Sequence, residues 1–338
     1  MERKVIQFTE PRVAKLITDE LEAPKAGEIH VKVAVSSISS GTERANLIGD
    51  PNIAPGKGAG VTFPRTLGYS TSGTVTAVGE GVEELKVGDR VAMMWTIHAS
   101  YVNIPAKYAF KLPDSVSFED AALFHISIFP MAAIRKCRLE MGEPAVVMGL
   151  GVLGLMGIKL LRMAGAAPII AVDPNPQKRE VALKNGADYA LDPYAPDFAA
   201  TAKKLTNGGA KVGIEVTGIG AGLDGILDCM ARFGRVALLG CTRNKDFTID
   251  YYRKVHFPGI TLVGAHTDAR PRQESHEGWW TQADDMKAAI KLTEMGRLKL
   301  TELVEEVHSP EEATEVYTRL ANEPSFPMVQ FDWRMLNE

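Results

Sequence analysis

The run VVMGLGVLGLMG sets Gly149, Gly151 and Gly154 at Gly-x-Gly-x-x-Gly spacing, and Asp173 follows 19 residues after the last of them. That arrangement is suited to holding a diphosphate. Gly149 permits a tight turn, Gly151 has no Cβ and lets a pyrophosphate approach the backbone, and Gly154 allows a helix to pack closely on a strand. The spacing alone is a weak signal, because glycine is common. Here it closes an apolar run, opens a helix-like segment and precedes an acidic residue at the end of the next apolar run, which is the context the fingerprint requires. The residues of the turn, Gly149, Leu150, Gly151, Val152, Leu153 and Gly154, would offer N–H groups to phosphate where the helix dipole favours negative charge. Asp173 would accept hydrogen bonds from both ribose hydroxyls and repel a 2′-phosphate, so NAD(H) is expected rather than NADP(H). Lys178 could flank the adenine, or be a solvated lysine at a helix start. Thr217, Leu239 and Gly240 end later strands and could line the nicotinamide half.

Positioning such a turn needs strand and helix in alternation. From Pro144 onward the sequence supplies it: AVVMG, PIIAVD, KVGIEVTG, GRVALLG and GITLVGAHT read as buried strands, with helical spacers such as VLGLMGIKLLRMAGA and PQKREVALKNGA. This predicts right-handed crossovers and a doubly wound parallel sheet. The first 120 or so residues differ in grammar. EIHVKVAVSSI alternates near period two, and Gly79, Gly81 and Gly88 punctuate Val-rich runs, which predicts a small, bent β-barrel. Ser117 can cap a helix, with Asp120 in the place of a capping-box Glu. Helices are expected over residues 282–295 and 310–320. FPMVQFDW then returns to β character, so the tail is expected to rejoin the first domain.

The chain has 338 residues, 45% hydrophobic and 24% charged, with a net charge of −4 and no basic stripe, which argues against nucleic acid as a partner. No apolar run approaches the roughly 18 residues of a membrane span. Cys137, Cys229 and Cys241 form no CxxC pair, and an odd count without a secretion signal fits reduced thiols in a cytoplasm.

The β-rich first domain, VGEGVEELKVGDRV, GLGVLG, Asp173 and a closing FDW together resemble the medium-chain dehydrogenase/reductase superfamily, the alcohol and polyol dehydrogenases, over essentially the whole chain. The resemblance implies an α/β architecture: a GroES-like β-barrel catalytic domain at 1–121 and 269–338, around a Rossmann NAD-binding domain at 122–268. It further implies an active site in the cleft between them, a small-molecule substrate, and a homodimer or homotetramer joined through the Rossmann sheet edges. Zinc members carry Cys-Gly-Thr/Ser-Asp where this chain has Ser40-Gly41-Thr42-Glu43, and Gly-His-Glu where it has Gly68-Tyr69-Ser70. The cysteine lobe of a structural zinc is also missing after GDRV. Serine and tyrosine are not usual zinc ligands, so both metals are expected to be absent.

That loss has a chemical consequence. Zinc can lower the pKa of bound water from about 15.7 to about 7, worth on the order of 12 kcal/mol, whereas one hydrogen bond to a charge returns roughly 1.5–3 kcal/mol. A side chain must then move the proton, or the substrate must delocalise its charge. The resemblance offers Thr42 and Ser40 as relay hydroxyls and Tyr69 as a phenol at the vacated metal position. It offers Glu43 as the carboxylate supporting that phenol, His125 near the family's third zinc ligand, and Trp95 as an aromatic pocket wall. Each has a purely structural alternative, as turn residue, cavity filler or satisfied histidine. His98 reads as part of a barrel strand. Arg270, Arg272, His276, Trp279 and Trp280 form a polar, aromatic-tipped loop that could touch substrate, touch a second subunit or be solvated.

Three functions compete. One is a zinc-independent, NAD-dependent dehydrogenase of a secondary alcohol on a sugar, cyclitol or other polyol. The second is an NAD(P)H-dependent enoyl or quinone reductase, against which Asp173 counts. The third is an NAD-binding protein without catalysis.

Overall fold

A computed structural model describes residues 1–51, 53, 61–241 and 246–336. In chain order the strands of the first stretch are β1 (Glu2–Glu10), β2 (Val13–Glu20), β3 (Glu28–Ser37), β4 (Arg65–Thr66), β5 (Ser70–Val78), β6 (Arg90–Met94), β7 (Tyr101–Pro105) and β8 (Ala109–Lys111). Helices α1 (Ser40–Leu47), α2 (Phe118–Ala121) and α3 (Phe124–Lys136) accompany them. An alternating stretch follows: β9 (Ala145–Met148), α4 (Val152–Ala164), β10 (Ile169–Val172), α5 (Pro176–Lys184), β11 (Tyr189–Leu191), α6 (Phe198–Leu205), β12 (Ala210–Glu215), α7 (Gly220–Asp228), β13 (Met230–Leu238) and β14 (Thr261–Gly264). The chain closes with α8 (Gln282–Glu294), β15 (Glu306–His308), α9 (Ala313–Asn322) and β16 (Val329–Asp332).

Two compact units result: Met1–Ile126 with Met286–Glu338, and Ser127–Asp285. The first holds a three-stranded sheet (β2-β1-β4) and a seven-stranded sheet, β15-β16-β3-β5-β6-β8, in which β7 also pairs with β3. The tail does rejoin the barrel, since β16 runs antiparallel to β3 with Phe331 opposite Ser36. β3 pairs with β16, β5 and β7, and its burial is nearly continuous because Ile29, Val31 and Val33 join the main core while Ala34 and Val35 pack against Ala122 and Phe118. Val5, Ile29, Val31, Leu47, Phe331 and Trp333 form its core, and α9 adds Val316, Tyr317 and Leu320. Ser117 caps α2 by accepting the Asp120 N–H at 3.0 Å. Asp120 does not complete a capping box; its other oxygen accepts the N–H groups of Leu300 and Thr301 and ties the returning chain to the barrel.

The second unit is a six-stranded, all-parallel sheet, β11-β10-β9-β12-β13-β14. β9 and β10 are buried at every residue, as strands covered on both faces should be. The order reverses between β9 and β12. Ligands of such sheets bind outside the carboxyl ends of the strands at that switch point.

The boundaries fall later than the sequence suggested, at 126/127 and 285/286 rather than 121/122 and 268/269. Electrostatics hold 269–285 with the parallel-sheet unit. Arg270, 3% exposed at its side chain, pairs with the buried Asp285 carboxylate at 2.7 Å, and Arg135 reaches the same carboxylate at 2.8 Å. The Arg270 guanidinium also donates to the Ile128 carbonyl. Arg135 lies over the Trp280 ring at 3.6 Å and Lys136 over the Trp279 ring at 4.7 Å. Burial, and then the Arg270 charge, push the Lys136 ammonium down to about 8. Arg270, Trp279 and Trp280 therefore act as a clasp within one unit and are not a solvated loop.

Candidate active site

In the parallel-sheet unit the glycine turn has the geometry its sequence demands. Gly149 sits at φ +99°, and a Cβ on Gly154 would lie 2.0 Å from the Gly149 carbonyl oxygen, so only glycine lets α4 approach β9 this closely. A Cβ on Gly151 would meet nothing within 4 Å, so the backbone there is open to an incoming group. The first hydrogen bond of α4 is from Leu155 N–H to the Gly151 carbonyl, which leaves the preceding amides of Val152, Leu153 and Gly154 unused by the helix. Leu150 is fully buried and its N–H is committed to Asp173 Oδ2 at 2.9 Å, as the Gly149 N–H is to the Val172 carbonyl at 2.8 Å, so neither amide is the phosphate donor expected of it. Val152 is buried too and contributes backbone rather than side chain. Asp173 also accepts the Asn175 N–H at 2.9 Å, which fixes its carboxylate at the end of β10. The residues present fit a dinucleotide. Lys178 is half-buried, and its N–H is taken up by the Asn175 cap of α5.

One residue of this half escaped the motif search. Glu215, 2% exposed at the end of β12, accepts the N–H and hydroxyl of Thr217 and the N–H of Gly218. Its backbone carbonyl accepts the N–H groups of Leu239 and Gly240. Burial raises its carboxyl above the ordinary range. Glu215 thus ties together the two turns that carry Thr217, Leu239 and Gly240. A buried acid in an apolar strand was the signal available for it.

In the barrel unit, Tyr69 donates its hydroxyl to Ser39 Oγ. Its carbonyl accepts the Trp95 N–H at 3.0 Å and His125 Nδ1 at 2.6 Å, which puts a proton on that ring nitrogen. The rings of Tyr69, Trp95 and His125 meet edge-on or tilted, with centroids 4.6 to 6.0 Å apart. His125 is fully buried, whereas Trp95 is 42% exposed and holds φ +60°. A left-handed tryptophan is strained, and strain of this kind collects where surroundings over-determine a side chain for a task. The indole is thereby presented to solvent beside the phenol.

Three of the expected roles change. Ser40 is half-buried and Thr42 exposed in the first turn of α1, and among the described residues neither hydroxyl reaches Tyr69; the neighbouring Ser39 does. Glu43 does not support the phenol. Its carboxylate, 0% exposed, accepts the Ser39 N–H at 2.8 Å, the Tyr317 hydroxyl at 2.5 Å and His98 Nε2 at 3.1 Å. Helical spacing explains this: a residue four positions along α1 turns back over its N-terminus, so Glu43 reaches Ser39 and the barrel interior. His98 completes an internal chain, since Trp333 donates to Ser36 Oγ and the Ser36 hydroxyl meets His98 Nδ1, both at 2.8 Å. Gly68, at φ +100°, makes room for it, because a Cβ there would lie 2.6 Å from the imidazole. Burial and then the Glu43 charge hold the Tyr317 phenol well above its ordinary range, so it stays a donor.

The donor set does not fit a zinc ion. Ser70 is buried and donates to the Ala122 carbonyl at 2.7 Å, and Tyr69 points at a serine. Among the described residues no group of three His, Cys, Asp or Glu could hold a metal, and no helix is long and apolar enough to cross a membrane.

Comparison with known proteins agrees with this architecture. Residues 25–114 match the family described as alcohol dehydrogenase GroES-like domain, and residues 152–279 that described as zinc-binding dehydrogenase. The chain is 32% identical over 233 residues to (R,R)-butanediol dehydrogenase of Bacillus subtilis, covering 60% of this chain and 67% of that protein. It is 27% identical over 334 residues to D-guloside 3-dehydrogenase of Escherichia coli, covering 91% and 94%. The crystal structure of 2R,3R-butanediol dehydrogenase from Bacillus subtilis superposes with a TM-score of 0.83 at 25% identity, covering 98% of this chain and 99% of that one.

Proposed function

Because this chain belongs to the medium-chain dehydrogenase/reductase superfamily, we propose that it is an NAD(H)-dependent oxidoreductase that interconverts a secondary alcohol and its ketone without zinc. The substrate class is a polyol, sugar or cyclitol. The observation that carries this reading is the Tyr69–Ser39 hydroxyl pair, beside His125 and the exposed Trp95 indole, where zinc relatives would place metal ligands. A phenol held in this way can take up or release the proton of the carbinol, so that no free alkoxide forms. The bound nicotinamide supplies hydride acceptance or donation. Trp95 offers a face for the C–H side of an oxygenated ring, and its neighbours offer polar edges. The relatives named for butanediol and guloside oxidation support a vicinal or ring-borne hydroxyl. Preference for NAD over NADP is supported by the Asp173 carboxylate at the end of β10. The protein is read as a soluble cytoplasmic enzyme working as a homodimer or homotetramer.

The experiment is a screen of NAD⁺ reduction across alcohols, polyols and sugars, with and without a strong chelator. Turnover with NAD⁺ that survives chelation is expected. Loss of turnover on chelation, restored by zinc, would overturn the metal-free reading; marked NADPH preference with an enone substrate would favour a reductase instead.

A further inference from the structure

We infer that Ser39 is the positioning and proton partner of Tyr69, and that the buried Glu43 carboxylate exists to hold it there. The inference rests on the reading of Tyr69 as acid/base.

Ser39 is 6% exposed and precedes α1, yet its side chain does not cap that helix. An N-terminal serine ordinarily accepts an N–H two or three residues on. Here its Oγ is turned to the Tyr69 phenol, and its own N–H is bound by Glu43 Oε1 at 2.8 Å. Glu43 is itself fixed by the Tyr317 hydroxyl and His98, and His98 by Ser36 under Trp333. Of these side chains Glu43 alone touches the Ser39 backbone. Behind it stands a chain of four more, of which His98, Tyr317 and Trp333 come from distant parts of the sequence. Charge buried this deeply is costly unless fully paired, and Glu43 has three donors. With its backbone N–H held by Glu43, Ser39 presents its hydroxyl to Tyr69.

Two hydroxyls in contact can exchange donor and acceptor. In ketone reduction, for which a bound nicotinamide would supply the hydride, the Tyr69 O–H bond breaks and its proton passes to the carbonyl oxygen. The Ser39 hydroxyl then donates to the phenolate until solvent returns a proton. In alcohol oxidation, for which a bound nicotinamide would accept the hydride, the carbinol O–H proton passes to the phenolate oxygen and Ser39 Oγ accepts from the re-formed phenol. A hydrogen bond to a charged group is stronger than one between neutral groups. Ser39 therefore favours the phenolate by about tenfold, equivalent to about one pH unit.

The test compares Ser39→Ala and Ser39→Thr with the wild-type full chain. Ser39→Ala is expected to lower kcat about tenfold with KM nearly unchanged, and to move the phenol limb of the kcat–pH profile up by about one unit. Ser39→Thr, which keeps the hydroxyl, should restore both. In a Tyr69→Phe background the serine change should cost nothing further. A second readout needs no substrate: the pH titration of the Tyr69 ring-carbon NMR signal, assigned by its loss in Tyr69→Phe, should shift up by about one unit in Ser39→Ala. An unmoved titration overturns the inference. Wild type without turnover on any substrate would overturn the proposed function, and the NMR titration would still decide the Ser39–Tyr69 coupling. Unchanged kcat and pH profile in an active Ser39→Ala enzyme would overturn the inference and spare the dehydrogenase reading.

Discussion

The glycine turn of the parallel-sheet unit and the hydroxyl cluster of the barrel unit are built in opposite ways. The nucleotide half is local: one turn, Gly149 to Gly154, and one acid, Asp173, at the end of the next strand, joined by a 2.9 Å bond from Leu150 N–H. The barrel half is assembled from parts. Ser39 and Glu43 come from the start of α1, Tyr69 from the edge of β5, Trp95 and His98 from the loop after β6, His125 from α3 and Tyr317 from α9. Backbone dihedrals and missing Cβ atoms define the first. Buried hydrogen bonds define the second, and the Tyr317–Glu43 bond spans 274 residues. A site of the first kind is sensitive to its glycines and its one acid. One of the second kind is sensitive to every member of its network.

Removing the centre of the barrel network should show that difference most strongly. Glu43→Ala strands His98, Tyr317 and the Ser39 N–H, and unfolding in urea should reveal a loss of about 3 to 5 kcal/mol. A loss under 1 kcal/mol would mean the network is as local as the glycine turn. Next in size is Tyr69→Phe, which should lower kcat by about 10²-fold with NAD⁺ affinity intact, measured by steady-state kinetics and calorimetry. Unchanged turnover would remove the phenol from the chemistry. On the nucleotide half, Asp173→Asn should shift the NAD⁺/NADP⁺ preference about tenfold toward NADP⁺ and leave Tyr69 chemistry alone. Competitive titration of the two cofactors reads it directly.

The smallest effect concerns the barrel's returning segment. Hydrogen bonds from Arg319, and then His308, hold the Glu306 carboxyl down to about 2, against an ordinary value near 4.5. Its folded form is therefore favoured above about pH 4.5, and the contribution disappears as pH falls through about 2. Glu306 is 30% exposed, so solvent screening leaves about 1 kcal/mol. Glu306→Gln should lower the melting temperature at neutral pH and match wild type near pH 2. Glu215, in the other unit, has the opposite sign. Burial raises its carboxyl, so folding is favoured as pH falls toward its unfolded value, and acid scans of Glu306→Gln and Glu215→Gln should diverge in opposite directions from wild type.

How far the sequence could be read follows the same division. Strand and helix alternation after Pro144 gave the parallel sheet, because a strand covered on both faces must be apolar throughout. The return of the tail was visible as β character in FPMVQFDW. The resemblance assigns 269–285 to the barrel, whereas the segment groups with the parallel-sheet unit, because its allegiance depends on Arg270 meeting Asp285 and on Trp279 and Trp280 meeting Lys136 and Arg135. Nothing in a polar, aromatic loop announces such partners. Tyr69 and His125 were found through the family pattern, and the structure brings them together. The family pattern points to Ser40 and Thr42 and not to Ser39, since adjacent hydroxyls differ only in where a helix start turns them.

What the sequence alone determined is the glycine turn, its acid and the alternation that positions them, since each depends on steric and hydrophobic constraints acting within a few residues. What only the tertiary structure decided is which hydroxyl meets the Tyr69 phenol and which groups surround the Glu43 charge. Those are matters of hydrogen-bond geometry between segments brought together by barrel closure, with the Glu43 bonds at 2.5 to 3.1 Å, and no local period records them.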